Sequence, residues 1–387
     1  MFDLRKKTLS HELGTTHGRT QRTASITAPL QASLGAILSC MDDLALPNMH
    51  QLGSERGRGN LIGIEPYMIQ QDYTSKESFF NKLNGYLLAA QRAKYLNDKT
   101  IVLFPEYIGS WLVLAGENEK IFQATTLEAA ERAMILRHPL KFIAYLLTSR
   151  EKGRSQAAFF RMKAHQMAEI YQNAFSQLAR EHSVTIIAGS IVLPAPQISS
   201  RQLILNKGPL HNASIIYSPD GTPHQHLIYK AFPTAKELPF ITPVSTNNIA
   251  SFGTPAGRLG VLICADSWFP QVYLSLKEQR IDLLAVPSYD VFGMQRWNQL
   301  WHGYDGWQAP TDVDVNDIEK ITEAQAWKKY SMAGRIRSSG ATYGMNIFLR
   351  GKLWDQDLGG WPATLVRDND IFVEEQTQKA AILSLWL

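Results

Sequence analysis

One cysteine stands where a thiol could do chemistry. Cys264 ends the apolar run Leu259-Gly260-Val261-Leu262-Ile263 and opens the polar, aromatic turn Ala265-Asp266-Ser267-Trp268-Phe269-Pro270, so the sequence predicts a thiol exposed at a strand end. Two other strand ends carry ionisable groups: Glu106 follows the run Thr100 to Phe104 and Pro105, and Lys230 follows Tyr229 in the run from His226. A free thiol with a pKa of about 8.5 is only a few per cent ionised near neutrality, and a nucleophilic cysteine needs a cation or a base beside it. Lys230 and Glu106 supply one of each. In that arrangement Glu106 takes the thiol proton as sulfur attacks a carbonyl or nitrile carbon, returns it to the departing nitrogen, and then activates water against the thioester. Lys230, held as an ammonium, is a poor base; with the backbone N–H of Ala265 it serves the developing oxyanion.

Taken singly, each residue has a plainer reading. Cys264 is equally a small core residue, Glu106 a helix cap and Lys230 a solvated strand end; their joint order favours the chemical reading.

The elements that must position these groups alternate in type. Leu61-Ile62-Gly63-Ile64 reads as a buried strand, Ser75 to Leu96 as a helix with apolar residues at helical spacing (Phe79, Phe80, Leu83, Leu87), and Thr100 to Phe104 as the next strand. This βαβ opening puts Glu106 at the carboxyl end of a parallel strand, where open sheets place ligands. A helix from Ala157 to Glu181 and the strand Val184 to Val192 form a second unit, with a mostly helical insertion at 111–152 before them. A hairpin follows, from Asn212 to Tyr217 through Ser218-Pro219-Asp220-Gly221 to His226–Phe232. The strand of Cys264 leads to a helix near Gln271 to Arg280, a strand from Asp282 to Pro287, an insertion at 290–316, a helix near Asp317 to Ser338 and the strand Met345 to Leu349. The class is α/β, with one large domain at 60–387 and an N-terminal extension at 1–59.

At 387 residues, with 45% hydrophobic and 19% charged residues, the chain has material for a substantial core. A net charge of +4 is small for this length, and the basic residues Arg5, Lys6, Lys7, Arg19 and Arg22 contribute much of it. Nucleic acid as a partner is therefore not expected. Two cysteines, Cys40 and Cys264, are too few for a disulfide scaffold and suit a reducing, cytoplasmic compartment. Residues 24–46 are apolar only in part, interrupted by Pro29, Gln31 and Asp42-Asp43, which argues against a spanning helix. The extension reads as a packing arm or, with Cys40 after Ile37-Leu38-Ser39, as an export or anchoring segment.

Glu106 in F-P-E, Lys230 in Y-K and Cys264 in C-x-D-x-x-F-P, in that order, with a strand ending near Gly189-Ser190 and the residues Asn212-Ala213-Ser214 between them, resemble the carbon-nitrogen hydrolase (nitrilase) superfamily from about Asn60 to about Asn346. The resemblance implies a four-layer α-β-β-α sandwich, a cofactor-free hydrolase acting on the carbon–nitrogen bond of a small amide, carbamoyl amide or nitrile, and self-association. It also implies a second carboxylate, Glu237, ahead of Leu238-Pro239-Phe240, orienting Lys230; Tyr107, Ala265, Trp268 and Tyr289 are the neighbours expected to touch substrate. An acyltransferase using the same thioester and a silent protein of the same fold are its rivals. The chain departs from the family pattern twice. Ala265 stands where relatives usually have tyrosine, and Arg335-Ile336-Arg337-Ser338-Ser339 stands where they commonly carry Arg-Ala-x-Glu-Asn.

Remaining signals are weaker. Asp312, Asp314, Asn316 and Glu323 have the spacing of a calcium loop without its glycine, and Asn316 with Glu319 reads better as a capping box. His224 and His226 lack partners at zinc spacing, so no metal is expected. Asn212-Ala213-Ser214 fits a glycosylation acceptor. Trp297, Trp301 and Trp307, with Tyr289, His302 and Tyr304, are candidates to line an apolar pocket.

Overall fold

A computed structural model describes residues 45–291, 293–304 and 306–387. The basic start of the chain, the apolar stretch at 24–44 and Cys40 lie outside the described residues.

Two six-stranded sheets form the centre. In the first, the strands Asn60–Glu65, Ile101–Leu103 and Thr185–Ile187 run parallel, flanked by Ala381–Trp386 on one side and Ile216–Tyr217 on the other, both antiparallel to their neighbours. In the second, Gly257–Val261, Leu283–Ser288 and Tyr343–Phe348 run parallel between antiparallel flanking strands. Each parallel core is apolar on both faces, as strands covered from both sides must be. Leu61, Ile101, Leu103 and Ile187 of the first sheet share one cluster with Leu259, Val261, Leu283 and Met345 of the second. The alternate residues Ile62, Val102 and Ile186 pack instead on the helices Lys76–Arg92 and Arg154–His182, through Phe79, Leu83 and Phe175. Leu262, Leu284 and Val286 face the helix Pro270–Glu278 through Val272, Tyr273 and Leu276. The result is the four-layer α-β-β-α sandwich. Gly63 sets how closely the sheets approach, since a Cβ there would lie 2.5 Å from Met345 Sδ and 2.6 Å from Ile347 Cγ2.

The strand Asn48–Leu52 extends the first sheet, parallel to Ala381–Trp386, and falls within the stretch read as an N-terminal extension. Residues 111–152 hold the 3-10 segment Ser110–Leu114 and the helices Glu119–Phe122, Leu127–Arg137 and Pro139–Thr148.

Three elements differ from their sequence reading. The run Val184 to Val192 is two strands, because Gly189 turns the chain at φ +65° and Ile191–Ser199 pairs in a separate three-stranded sheet with Gln202–Ser214. In the hairpin, Ile228–Tyr229 pairs with the end of Gln202–Ser214, while Ile216–Tyr217 joins the first large sheet. The last helix starts at Glu323, not near Asp317, and is broken after Tyr330. Its cap is Thr322, whose Oγ1 accepts from Gln325 N and whose own N–H donates to Gln325 Oε1; Glu319 lies at φ +59°, outside any helix. The carboxylates of the calcium-like spacing are engaged elsewhere: Asp312 with Arg335, Asp314 with the N–H of Asn316, and Glu323 with Arg296.

Candidate active site

Glu106 follows the strand Ile101–Leu103, and the next residue, Tyr107, is held at φ +63°. That turn is fixed from the neighbouring strand end. Tyr107 N donates to Ser190 Oγ at 2.9 Å, Gly109 N donates to Ser190 O at 3.0 Å, and Gly189 is pressed so close that a Cβ would sit 2.1 Å from Pro105 O. Lys230 N donates to Asn212 O at 2.9 Å, which ties the lysine to the long strand Gln202–Ser214. Cys264 leaves the strand Gly257–Val261 by a short extended link and enters the 3-10 turn Cys264–Trp268 at φ +49°. A non-glycine residue in the left-handed region carries backbone strain. The first N–H groups of such a turn have no partner inside it, and Ala265 is partly open to solvent while Cys264, Asp266, Ser267 and Trp268 around it are buried.

These strand ends meet. Lys230 Nζ donates to Glu106 Oε1 at 2.8 Å and to Glu237 Oε2 at 2.7 Å, with all three side chains buried. Asn212 Nδ2 donates to the same Glu106 Oε1 at 2.8 Å. Glu237 also takes the N–H of Thr234 at 2.8 Å and the hydroxyl of Tyr107. The Cys264 thiol faces the Glu106 carboxylate on one side and the carbonyl oxygen of Tyr289, 3.9 Å from Sγ, on the other. Contrary to the exposed thiol expected from sequence, Cys264 is only 7% exposed and belongs to one buried apolar cluster with Trp268, Trp301 and Trp327.

One ammonium cannot equally serve two buried carboxylates. Burial pushes Glu106 up, Lys230 only partly offsets it and Glu237 adds repulsion, so Glu106 rises to about 7. Glu237 suffers the same desolvation, but Lys230, Tyr107 and the Thr234 N–H outweigh it and hold the group below the ordinary carboxylate range. Burial pulls Lys230 down, yet the two carboxylates win and hold it well above its usual value. Burial, then the Glu106 charge, pushes the Cys264 thiol up. The resting site is a Lys230–Glu237 ion pair, a thiol rather than a thiolate, and a Glu106 that exchanges its proton near neutral pH. Two carboxylates whose surroundings push their affinities apart have distinct acid–base roles.

Of the other residues singled out, Tyr107 and Tyr289 meet edge to face with centroids 5.2 Å apart beside Glu106. Trp268 stacks on Trp301 at 5.8 Å and meets Trp327 at 5.0 Å. The tryptophans read as pocket lining are largely packing: Trp301 is 1% exposed, Trp297 lies against Trp361, and Trp307 Nε1 donates to Pro233 O at 2.6 Å. Tyr304 hydroxyl donates to Trp268 O at 2.9 Å, and exposed His302 faces Glu319.

Two site residues escaped their sequence reading. Asn212, read as a hairpin residue and glycosylation acceptor, is fully buried on Glu106. Asp266 accepts from Ala231 N at 2.9 Å and Phe232 N at 2.8 Å with one oxygen, and from Ile263 N at 3.1 Å with the other. It joins the turn after Lys230 to the turn of Cys264. Its signal was present in the C-x-D spacing.

A sequence model of carbon-nitrogen hydrolases matches residues 67–309, more than half of the chain. The chain belongs to the carbon-nitrogen hydrolase family. No curated protein matches it in sequence. Among solved structures it is similar to a carbon-nitrogen hydrolase from Helicobacter pylori G27, at 14% identity and TM-score 0.50 over 84% of this chain and 88% of that one. It is also similar to a cysteine-to-serine mutant of the Nesterenkonia AN1 amidase of the nitrilase superfamily, at 10% identity and TM-score 0.50 over 87% and 93%. At these identities the likeness is one of fold. Among the described residues no helix is long and apolar enough to cross a membrane.

Proposed function

We propose that this carbon-nitrogen hydrolase cleaves the non-peptide carbon–nitrogen bond of a small amide or carbamoyl amide through a thioester on Cys264, with release of ammonia or an amine. The observation that carries the reading is the shared Glu106: one carboxylate oxygen takes Lys230 and Asn212 while the carboxyl faces the thiol. In the first step the S–H proton moves to Glu106 as the C–S bond forms and the carbonyl electron pair moves onto oxygen. The Lys230 ammonium and the Ala265 N–H stabilise that oxygen; one such donor is worth about 3 kcal/mol of barrier. Collapse expels the nitrogen, which takes the proton from Glu106. Water then gives a proton to Glu106 and attacks the thioester, and the thiol recovers a proton as the acid leaves. Glu237 keeps Lys230 charged and in place. Tyr107, Tyr289, Ala265 and Trp268 border this centre and are the proposed substrate contacts; alanine in place of the usual tyrosine after the cysteine leaves room there.

Ammonia release from a panel of amides, carbamoyl amides and nitriles, with intact-mass detection of the acyl-enzyme, tests the reading. Hydrolysis of amides with a mass adduct on Cys264 supports it. Turnover of none of the three classes, or turnover that survives Cys264→Ala, overturns it.

A further inference from the structure

The insertion between Glu106 and the long helix carries an apolar face that the core does not use. With about 100° between successive residues, Leu140, Ile143, Ala144 and Leu147 of the helix Pro139–Thr148 fall within an arc of about 100°, while Phe142 lies opposite and is buried against the domain. Leu136, near the end of the preceding helix, is exposed as well. Leu136, Leu140 and Leu147 are 78%, 83% and 77% exposed, the highest values among the large apolar residues described. Apolar surface gathered in this way on one face marks an interaction site.

The surroundings of the ridge select the partner. Residues 136–154 carry Arg137, Lys141, Arg150, Lys152 and Arg154 against Glu151 alone, five cations to one carboxylate. Lys141, Tyr145 and Thr148 run along one flank of the same helix, about 80–140° from Leu140. Beside that flank a cavity of about 750 Å³ is lined by Tyr145, Thr148, Arg150, Arg161 and Lys207, with Glu151 paired to Arg161. Among the described residues, Lys141, Arg150, Lys152 and Lys207 form no ion pair with a carboxylate. An isologous contact with a second copy would bring two such basic flanks together. Leucine on one face and cations on the flank are the pattern of a helix that lies in a membrane interface, where each basic side chain adds attraction to anionic lipid.

We propose that the helix Pro139–Thr148 docks this protein on an anionic lipid surface, Leu136, Leu140, Ile143 and Leu147 entering the acyl boundary and Lys141, Arg150 and Lys207 facing headgroup phosphates. The seat is firm: Gly153 N donates to Pro239 O at 2.7 Å, which fixes the end of the insertion on the loop that carries Glu237.

Co-sedimentation of the full chain with vesicles of phosphatidylcholine alone, and with about one third phosphatidylglycerol, tests this. Binding to the anionic vesicles, weak binding to the neutral ones, and at least an about tenfold loss in both L140D/L147D and K141S/R150S/K152S support it; far-UV circular dichroism confirms that the variants remain folded. No binding by the wild type, or equal binding by both variants, overturns it. So does a dimer in sedimentation equilibrium that L140D/L147D splits without vesicle binding by the wild type, which assigns the face to a second copy.

Discussion

Asp266 Oδ1 accepts the N–H of Ala231 at 2.9 Å, which locks the residue after Lys230 to the turn that begins with Cys264. The same carboxylate takes the N–H groups of Phe232 and Ile263, so three backbone donors depend on it, two of them in fully buried bonds. Burial nevertheless pushes it up to about 7. Asp266→Ala leaves all three donors unpaired, at about 1–3 kcal/mol each where they stay dry, and Asp266→Asn turns an amide N–H₂ toward one of them. Denaturant unfolding is expected to show the larger loss for Ala, and kcat is expected to fall in both variants because Lys230 and Cys264 no longer share a frame. An Asp266→Ala protein with wild-type stability and rate would show that this carboxylate holds nothing together.

As the proposed base, Glu106 is expected to set the pH profile. Its folded value of about 7 exceeds the unfolded carboxylate value, so the free enzyme holds the base form only above neutrality. The profile of kcat/KM, which reports the free enzyme, is expected to rise through pH 7 rather than near 4.5. Asn212 donates to the charged carboxylate and favours it; Asn212→Ala is expected to move the acid limb upward. Raised folded values also act on stability, because Glu106 and Asp266 contribute most below their unfolded pKa values and lose that contribution as pH rises through about 7. An acid limb at ordinary glutamate pH would show that Glu106 is not the base.

With Glu106→Gln the first proton has nowhere to go. Acylation is expected to stall, with no adduct on Cys264 in intact-mass spectra. Accumulation of a stable thioester on that variant would assign the first proton transfer to another group and leave Glu106 with water activation alone.

That Glu106, Lys230 and Cys264 stand out was legible because each closes an apolar run. Pro105-Glu106, Tyr229-Lys230 and Cys264-Ala265-Asp266 all mark the point where an apolar run gives way to ionisable residues. Asn212 gave no such signal, since asparagine near a turn has local uses and its side chain finds Glu106 only through the pairing of distant strands. The strands Ile191–Ser199 and Gln202–Ser214 hold Pro194, Pro196 and Pro209, residues that argue against strands; the structure accommodates Pro194 and Pro196 at an irregularity in the register. The last helix was begun too early because Asn316 and Glu319 match the capping spacing as well as Thr322 and Gln325 do, and only the packing of Trp327 on Trp268 and of Tyr330 on Trp301 decides between them. Burial of Cys264 was not legible either, since Trp301 and Trp327, which share its apolar cluster, stand 37 and 63 positions further along the chain.

Lys230→Met keeps the side-chain volume and removes the charge that separates Glu106 from Glu237. Breaking a buried pair in this way costs about 3–5 kcal/mol. Both carboxylates then rise above their unfolded values, so the variant's stability is expected to be greatest at low pH and to fall as pH rises through neutrality, which is the sign for a raised acid. Thermal melts at pH 5 and pH 8 check this. A pH-independent loss would mean that the two carboxylates do not face each other across the vacated site.

Cys264 offers a separation of chemistry from packing. Cys264→Ala removes the proposed nucleophile and is expected to abolish turnover, at a stability cost of about 1 kcal/mol or less for one buried sulfur. Alanine, however, keeps the strained φ of +49°. Cys264→Gly loses one more carbon but adopts that backbone freely, and relief of strain of about 1 kcal/mol offsets the extra cavity. The glycine variant is therefore expected to melt at or above the alanine variant, although glycine for alanine elsewhere lowers stability. If glycine is clearly the less stable of the two, the left-handed turn at the nucleophile carries no strain, and its geometry is maintained at no cost to the fold.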